Sequence, residues 1–139
     1  MAQTIFPYLL YEDVASMLDW LSHTFGFTEK LRFAGDFHLG VVDRPVVAGG
    51  TIMLGDPGDD YRSPKNGGGW PAQIQVYVDD VDAHYAQAKA AGAEIRQELA
   101  DMPYGDRRYD AYDAEGHLWM FSTRMRDVAP GDWGATEAG

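Results

Sequence analysis

Four histidines, His23, His38, His84 and His117, are the only imidazoles in the chain, and there is no cysteine. That inventory excludes thiol nucleophiles, disulfides, iron–sulfur clusters and cysteine-ligated zinc. The histidines form no HxH or HExxH spacing, and no GxSxG elbow presents a serine nucleophile. His23 lies four residues after Asp19, the spacing of a solvated helical pair. His84, beside Tyr85, is expected at a helix surface. His38 opens a strand and is a candidate ligand contact facing a groove. His117 follows the turn glycine Gly116 and is expected to be structural. Gly67-Gly68-Gly69 lacks the GxxxxGK[ST] pattern and helix start of a phosphate cradle. Arg107, in Tyr104-Gly105-Asp106-Arg107, is a cation suited to a ligand carboxylate; the competing outcome is an ion pair with Asp106 or Asp110. The residue types favour binding over nucleophilic or acid–base chemistry.

The elements that carry these residues follow from periodicity. Residues 4–11 read as a short aromatic strand in which Pro7 favours a sheet edge. Asp13 is a helix N-cap; Val14, Met17, Leu18, Leu21 and Phe25 form one helical face, and Gly26 suits a left-handed C-terminal cap. Strands follow at 27–34, 37–43 and 50–55, with turns at Gly35-Asp36 and 44–49. Residues 56–70 hold breakers and polar groups and read as a flexible glycine-rich linker. Alternation over 73–79 predicts a strand, and Asp80 caps a helix carrying Val81, Tyr85 and Ala88 that Gly92 ends. Three strands follow at about 94–99, 107–113 and 117–124. The tail over 127–139 is acidic and expected to be flexible.

The two halves repeat. Asp13-Val14 and Asp80-Val81 are 67 residues apart, Gly26 and Gly92 are 66 apart, and Gly49 and Gly116 are 67 apart. The chain therefore divides into a first module (1–55), the linker (56–70), a second module (71–126) and the tail. The expected fold is α+β: two βαβββ modules forming a curled eight-stranded mixed sheet, helices on the outer face.

Composition bounds the function. The 139 residues suit one domain or two small fused modules. An apolar fraction of 45% with 18 aromatic residues argues against disorder. A net charge of −11 argues against nucleic acid, whose phosphates need a basic face, and favours cationic ligands. No apolar run approaches the roughly 18 residues that span a bilayer, so no membrane association is expected. The N-terminal residues lack the basic start of a secretory signal, and a cytoplasmic protein is expected.

The order of motifs resembles the vicinal oxygen chelate superfamily, the glyoxalase, bleomycin-resistance and dioxygenase group, in its small PhnB-like or bleomycin-resistance-like branch. The residues that carry the resemblance are Tyr11-Glu12-Asp13-Val14 before a helix ending Phe25-Gly26-Phe27, and Val78-Asp79-Asp80-Val81 before the second helix. Tyr104-Gly105-Asp106-Arg107 and Tyr112-Asp113-Ala114-Glu115-Gly116-His117-Leu118-Trp119-Met120-Phe121 complete it, similar to a "YGDR…DPxGHxW" ending. The resemblance spans about residues 4–124. It implies a homodimer, and in catalytic members a divalent metal held from the first and fourth strands of each module. Carried over residue by residue, those positions hold Phe6, Met53, Gln73 and Met120. Phenylalanine cannot ligate, and thioethers are soft ligands for copper(I). No metal or other cofactor is therefore expected.

Strand parity extends these positions to a concave face. With Phe6 comes Tyr8; with Gln73 come Gln75 and Tyr77; with Met120 comes Ser122; Met53 stands on the fourth strand. Trp119 and Phe121 fall on the core side. The set is mainly aromatic and thioether-rich, which suits a tolerant small-molecule pocket. His38, Trp70 as a lid, Tyr104 and Arg107 are the flanking candidates. The expected function is metal-free binding of a small aromatic or cationic molecule. The alternatives are a divergent metal-dependent lyase, isomerase or dioxygenase of the same superfamily, and a protein-interaction module.

Overall fold

The computed structural model describes residues 3, 5–35, 38–43 and 50–138. The expected turn over 44–49, the repeat marker Gly49 and the strand start at Phe37 lie outside them. The described chain forms β1 (Tyr8–Leu10), α1 (Val14–Phe25), β2 (Thr28–Ala34), β3 (His38–Asp43), β4 (Thr51–Gly55), β5 (Gln73–Tyr77), α2 (Val81–Ala90), β6 (Glu94–Asp101), β7 (Asp106–Tyr112) and β8 (Leu118–Arg124). The strands make two four-stranded sheets, in the orders β1-β4-β3-β2 and β5-β8-β7-β6. In each, the first strand runs parallel to the fourth and the other pairings are antiparallel. Two βαβββ modules are thus present, and no helix among the described residues is long and apolar enough to cross a membrane.

The repeat holds at atomic detail. Asp13 Oδ1 accepts from the Ser16 amide at 3.0 Å, and Asp80 Oδ1 accepts from the Ala83 amide at 3.1 Å. Gly26 closes α1 in the left-handed region, at φ 75°, which costs glycine little. Tyr8 pairs with Met53, and 67 residues later Gln75 pairs with Met120. β1 is at a sheet edge, as Pro7 predicts. It is shorter than the expected 4–11 because proline offers no N–H to a ladder; the Pro7 carbonyl still accepts from the Met53 amide at 3.0 Å.

Alternate residues of the strands face the helices. Leu9, Val42, Ile52, Leu54, Val76, Tyr109, Ala111, Trp119 and Phe121 are buried there with the expected apolar face of α1. A Cβ on Gly40 would strike Leu18, so this glycine is where α1 rests on its sheet. Both modules share the core: Phe25 of the first packs on Trp119 and Phe121 of the second, with ring centroids 5.8 and 4.7 Å apart.

Polar contacts also join the modules. The buried Asp113 carboxylate accepts from the Tyr11 hydroxyl at 2.6 Å, the Trp119 indole at 2.9 Å, and the amides of Glu115 and His117. Glu115 accepts from the amides of Glu12 and Asp13 at the start of α1. Glu12 in turn accepts from the Ser63 amide and the Asn66 side chain, at 2.8 and 2.7 Å. Residues 64–66 of the glycine-rich segment form a 3-10 turn, and a Cβ on Gly68 would collide with the Arg62 carbonyl. In the tail, a 3-10 turn over Pro130–Trp133 sets Trp133 against Tyr104, with ring centroids 5.5 Å apart.

Two tests follow from these contacts. Tyr11→Phe leaves a buried carboxylate oxygen short of one donor. It should cost about 1–3 kcal/mol, read as a fall of several degrees in the thermal transition; an unchanged transition would remove Tyr11 from the junction. The second concerns Glu12, whose carboxyl is held down to about 2, chiefly by the Ser63 amide and the Asn66 side chain. A depressed carboxyl contributes stability above its ordinary value of 4.5, and that contribution is lost as pH falls toward about 2. Protection of the Ser63 amide, its exchange relative to an unstructured amide at the same pH, should therefore fall over that acid window in the wild type. In Glu12→Gln protection should already be low at neutral pH; undiminished protection in that variant would show that the carboxylate does not pin the turn.

Candidate functional site

The side chains that alternate with the core residues stand on the faces turned away from the helices. On the first sheet, Tyr8, Met53, Val41 and Leu31 form one row across the strands, and Leu10, Gly55, Leu39 and Phe33 form the next. This face is apolar and open: Tyr8, Leu10, Leu31 and Phe33 are between 40% and 51% exposed. Phe6, just before β1, is 43% exposed.

The second sheet builds the same rows from different chemistry. Gln75, Met120, Asp110 and Gln97 lie side by side, as do Tyr77, Ser122, Arg108 and Ala100. The Tyr77 hydroxyl donates to Asp106 at 2.7 Å, and this bond raises its pKa above the ordinary phenol value. Arg124 donates to the other Asp106 oxygen at 3.1 Å. Arg108 grips Asp110 through Nε and Nη2, at 3.0 and 3.3 Å, and donates from Nη1 to the Tyr104 hydroxyl at 3.1 Å. Arg96 reaches Asp110 at 3.6 Å. Gln75 donates to Ser122 Oγ at 2.9 Å. The two sheets meet at a crevice of about 310 Å³ whose lining includes Pro7, Thr51 and Ile52 of the first module and Gln75 and Tyr77 of the second.

The structure sorts the expected site residues. Phe6, Tyr8 and Met53 stand on or beside the first concave face, and Gln73, Gln75, Tyr77 and Met120 on the second. Ser122 shares that side but is fully buried beneath the Gln75 amide. Tyr104 touches the face through Arg108. Trp70 projects into solvent, 96% exposed.

Several expectations are corrected. Arg107 has the parity of Tyr109 and lies on the helix side, paired with Asp82 at 2.9 Å and Asp101 at 3.2 Å. It meets neither Asp106 nor Asp110. The concave guanidinium is that of Arg108, one residue on, and with it Arg96, Asp106, Asp110 and Arg124, which the sequence reading passed over as site residues. Their signal was present in the Asp110–Met120 and Arg108–Ser122 register, once β7 is laid beside β8. His38 shares the parity of Gly40 and Val42, so it too is on the helix side. It lies 3.4 Å from Asp56 and close enough to Asp13 for its charge to act there. Asp19 pairs with Arg32 at 3.0 Å rather than with His23.

His84 is packed inward, not at a helix surface. Its Nδ1 accepts from the Tyr109 hydroxyl at 2.6 Å and its Nε2 donates to the Phe25 carbonyl at 2.8 Å. Burial lowers its pKa. Its position on α2, between the end of α1 and the second sheet and facing Phe121 at 4.2 Å between ring centroids, explains the burial. His117 bridges the modules: Nδ1 accepts from the Ala72 amide at 2.9 Å, and Nε2 donates to the Leu10 carbonyl at 2.8 Å.

The profile of the Glyoxalase/Bleomycin resistance protein/Dioxygenase superfamily matches residues 4–121. This chain belongs to that superfamily. It is 32% identical over 127 residues to the uncharacterized protein Mb0911c of Mycobacterium bovis, covering 88% of this chain and 84% of that one. TioX from Micromonospora sp. ML1 superposes with a TM-score of 0.71 at 35% identity, covering 89% of this chain and all of TioX. TnmS3, an antibiotic binding protein from Streptomyces sp. CB03234, shares the fold with a TM-score of 0.70 at 20% identity, over 89% of this chain and 97% of that one.

Catalytic members of this superfamily imply a metal, and the residues here do not fit one. The positions carried over from them hold Phe6, Met53, Gln73 and Met120, of which only the Gln73 amide is a hard donor. Among the described residues no group of three His, Asp or Glu side chains is placed to hold an ion. Protein purified without tag or chelator should carry less than about a tenth of an equivalent of nickel, zinc, iron or manganese by elemental mass spectrometry. Close to one equivalent, lost in Gln73→Ala, would show that Gln73 ligates.

Proposed function

We propose that this protein binds a small aromatic molecule between its concave faces and that it acts as a homodimer. The observation that carries the reading is the open face of the first sheet. Tyr8, Leu10, Leu31, Phe33 and Met53 line a surface that the chain's own helices leave uncovered. Contiguous apolar surface of that kind marks binding sites. The second sheet adds directional groups in Gln73, Gln75 and Tyr77, and a mostly apolar wall with a few polar groups is the usual make-up of a ligand pocket. The likeness in fold to an antibiotic binding protein is consistent with this reading. Methionines at the centre of each face favour tolerance of ligand shape. A second copy of the chain covers the open faces in the proposed dimer.

Thermal denaturation in the presence of planar aromatic compounds tests the proposal. A ligand at about one hundred times its Kd should stabilise the protein by about 2.7 kcal/mol. Tyr8→Ala, which removes a half-exposed ring, should weaken that ligand by about ten-fold. Compounds that leave the transition unmoved across a broad aromatic panel, or that bind Tyr8→Ala undiminished, count against it. Sedimentation should give about twice the 15.4 kDa chain mass; a monomer that binds as well would remove the dimer from the proposal.

A further inference from the structure

The chain has a single asparagine, Asn66, and a glycine follows it. In that dipeptide the main-chain nitrogen of the glycine can attack the asparagine side-chain carbonyl, because no Cβ on the second residue shields it. The bond from Gly67 N to Asn66 Cγ forms, the Cγ–Nδ2 bond breaks, and ammonia leaves with the proton that the Gly67 amide gives up. Water then opens the cyclic imide. Attack at Cγ gives aspartate; attack at the main-chain carbonyl carbon gives isoaspartate, in which the chain runs through one extra methylene. The sum is amide and water giving carboxylate and ammonium, with no oxidant or reductant.

The fold holds this pair away from that reaction. Asn66 stands in the 3-10 turn over residues 64–66, whose backbone sends the Gly67 N–H back to the Pro64 carbonyl at 3.2 Å. The Asn66 side-chain amide is turned to Glu12 Oε2, to which it donates at 2.7 Å. The same Glu12 oxygen accepts from the Ser63 amide at 2.8 Å. The Asn66 and Gly68 amides both donate to the Ser63 carbonyl at 2.9 Å. Asn66 itself is exposed, so water and base reach it whenever the turn opens.

The turn is also a strap. The Lys65 amide donates to the Glu115 carbonyl at 3.0 Å, and a Cβ on Gly116 would lie 2.8 Å from the Lys65 nitrogen. The segment therefore rests on the turn that carries Asp113, Glu115 and His117 and joins the modules. Either product undoes this. A carboxylate at position 66 has no N–H to give Glu12 and stands against it as a like charge, which disfavours the ionised form of Glu12. Isoaspartate adds a main-chain atom inside a turn closed by the Asn66, Gly67 and Gly68 amides.

We infer that Asn66–Gly67 is a site of spontaneous deamidation held in check by Glu12, and that its product releases the strap from the module junction. The change needs no enzyme and runs one way, so the fraction converted records how long the chain has existed and how often the turn has opened.

Incubation of the full chain at mildly alkaline pH, beside a synthetic peptide of residues 61–70, provides the test. Conversion is read as a mass gain of about 1 Da, assigned to residue 66 by peptide mapping, and as isoaspartate by enzymatic methylation. The folded chain should convert at least about ten-fold more slowly than the peptide, and Glu12→Gln should recover most of that difference. Val42→Ala truncates a fully buried core residue and leaves Glu12 and the strap contacts in place. It should convert at the wild-type rate, which separates local opening from loss of global stability. Asn66→Asp should lower the protection of the Ser63 amide at neutral pH. A folded chain that converts as fast as the peptide, or a Glu12→Gln rate equal to that of the wild type, would remove Glu12 as the restraint. No conversion at residue 66 in Glu12→Gln by the time the peptide is exhausted would overturn the site. Undiminished Ser63 protection in Asn66→Asp would overturn the release.

Discussion

The carboxylate of Asp113 is the point on which the two modules depend. A charge this deeply buried is costly unless donors surround it. Here two side chains and two amides do so, and one of them, Tyr11, comes from the other module. The same turn that holds Asp113 also presents Glu115 to the first amides of α1 and His117 to the Leu10 carbonyl. One short turn of the second module thus satisfies the end of β1 and the two amides, Glu12 and Asp13, that lead into α1. Burial pushes the Glu115 carboxyl above its ordinary value against the pull of the two amides. This junction fixes how the first concave face stands relative to the second, so the geometry of any cleft formed from them passes through it.

Much of this was legible in the sequence because the repeat supplied its own check. A spacing that recurs in two caps and two glycines implies that the strand registers recur too, and Tyr8–Met53 and Gln75–Met120 do so. The apolar face of α1 was readable because Val14, Met17, Leu18, Leu21 and Phe25 keep helical spacing. What was not legible came from contacts that join distant segments. His84 lies on a helix with little amphipathic pattern, and only the meeting of α2 with the end of α1 and with Tyr109 and Phe121 encloses it. The glycine-rich segment reads as breakers, yet Glu12 and the Glu115 carbonyl hold its middle as a turn. Arg107 and Arg108 differ by one position and point to opposite faces, which motif identity does not distinguish. Parity propagated from Met120 through the β8–β7 ladder places Arg108 on the face turned away from the helices.

Net charge does not describe this face, for a related reason. Part of the acidic excess lies at helix caps and loops such as Asp13, Asp59 and Asp80, where solvent screens it. On the second concave face the carboxylates are buried and serve to orient arginines. The sign a ligand senses is set by which partner of each ion pair is exposed. A global count of acids and bases carries no information about that.

The duplicated modules keep one backbone frame and fill it with unlike side chains. Where the first sheet has Tyr8, Leu10 and Met53, the second has Gln75, Tyr77 and Met120, and its next two strands carry Asp110, Arg108, Gln97 and Ala100 where the first has Val41, Leu39, Leu31 and Phe33. Only the central methionine is shared. The two faces are therefore not two equivalent greasy surfaces. One is mainly apolar, and the other carries directional and charged groups. Apolar area alone discriminates weakly between ligands of similar size, whereas groups already held in place by buried carboxylates reject a ligand that cannot complement them. In the proposed binding function the first wall would supply strength and the second choice, a division of labour that a symmetric duplication does not provide until its two faces diverge.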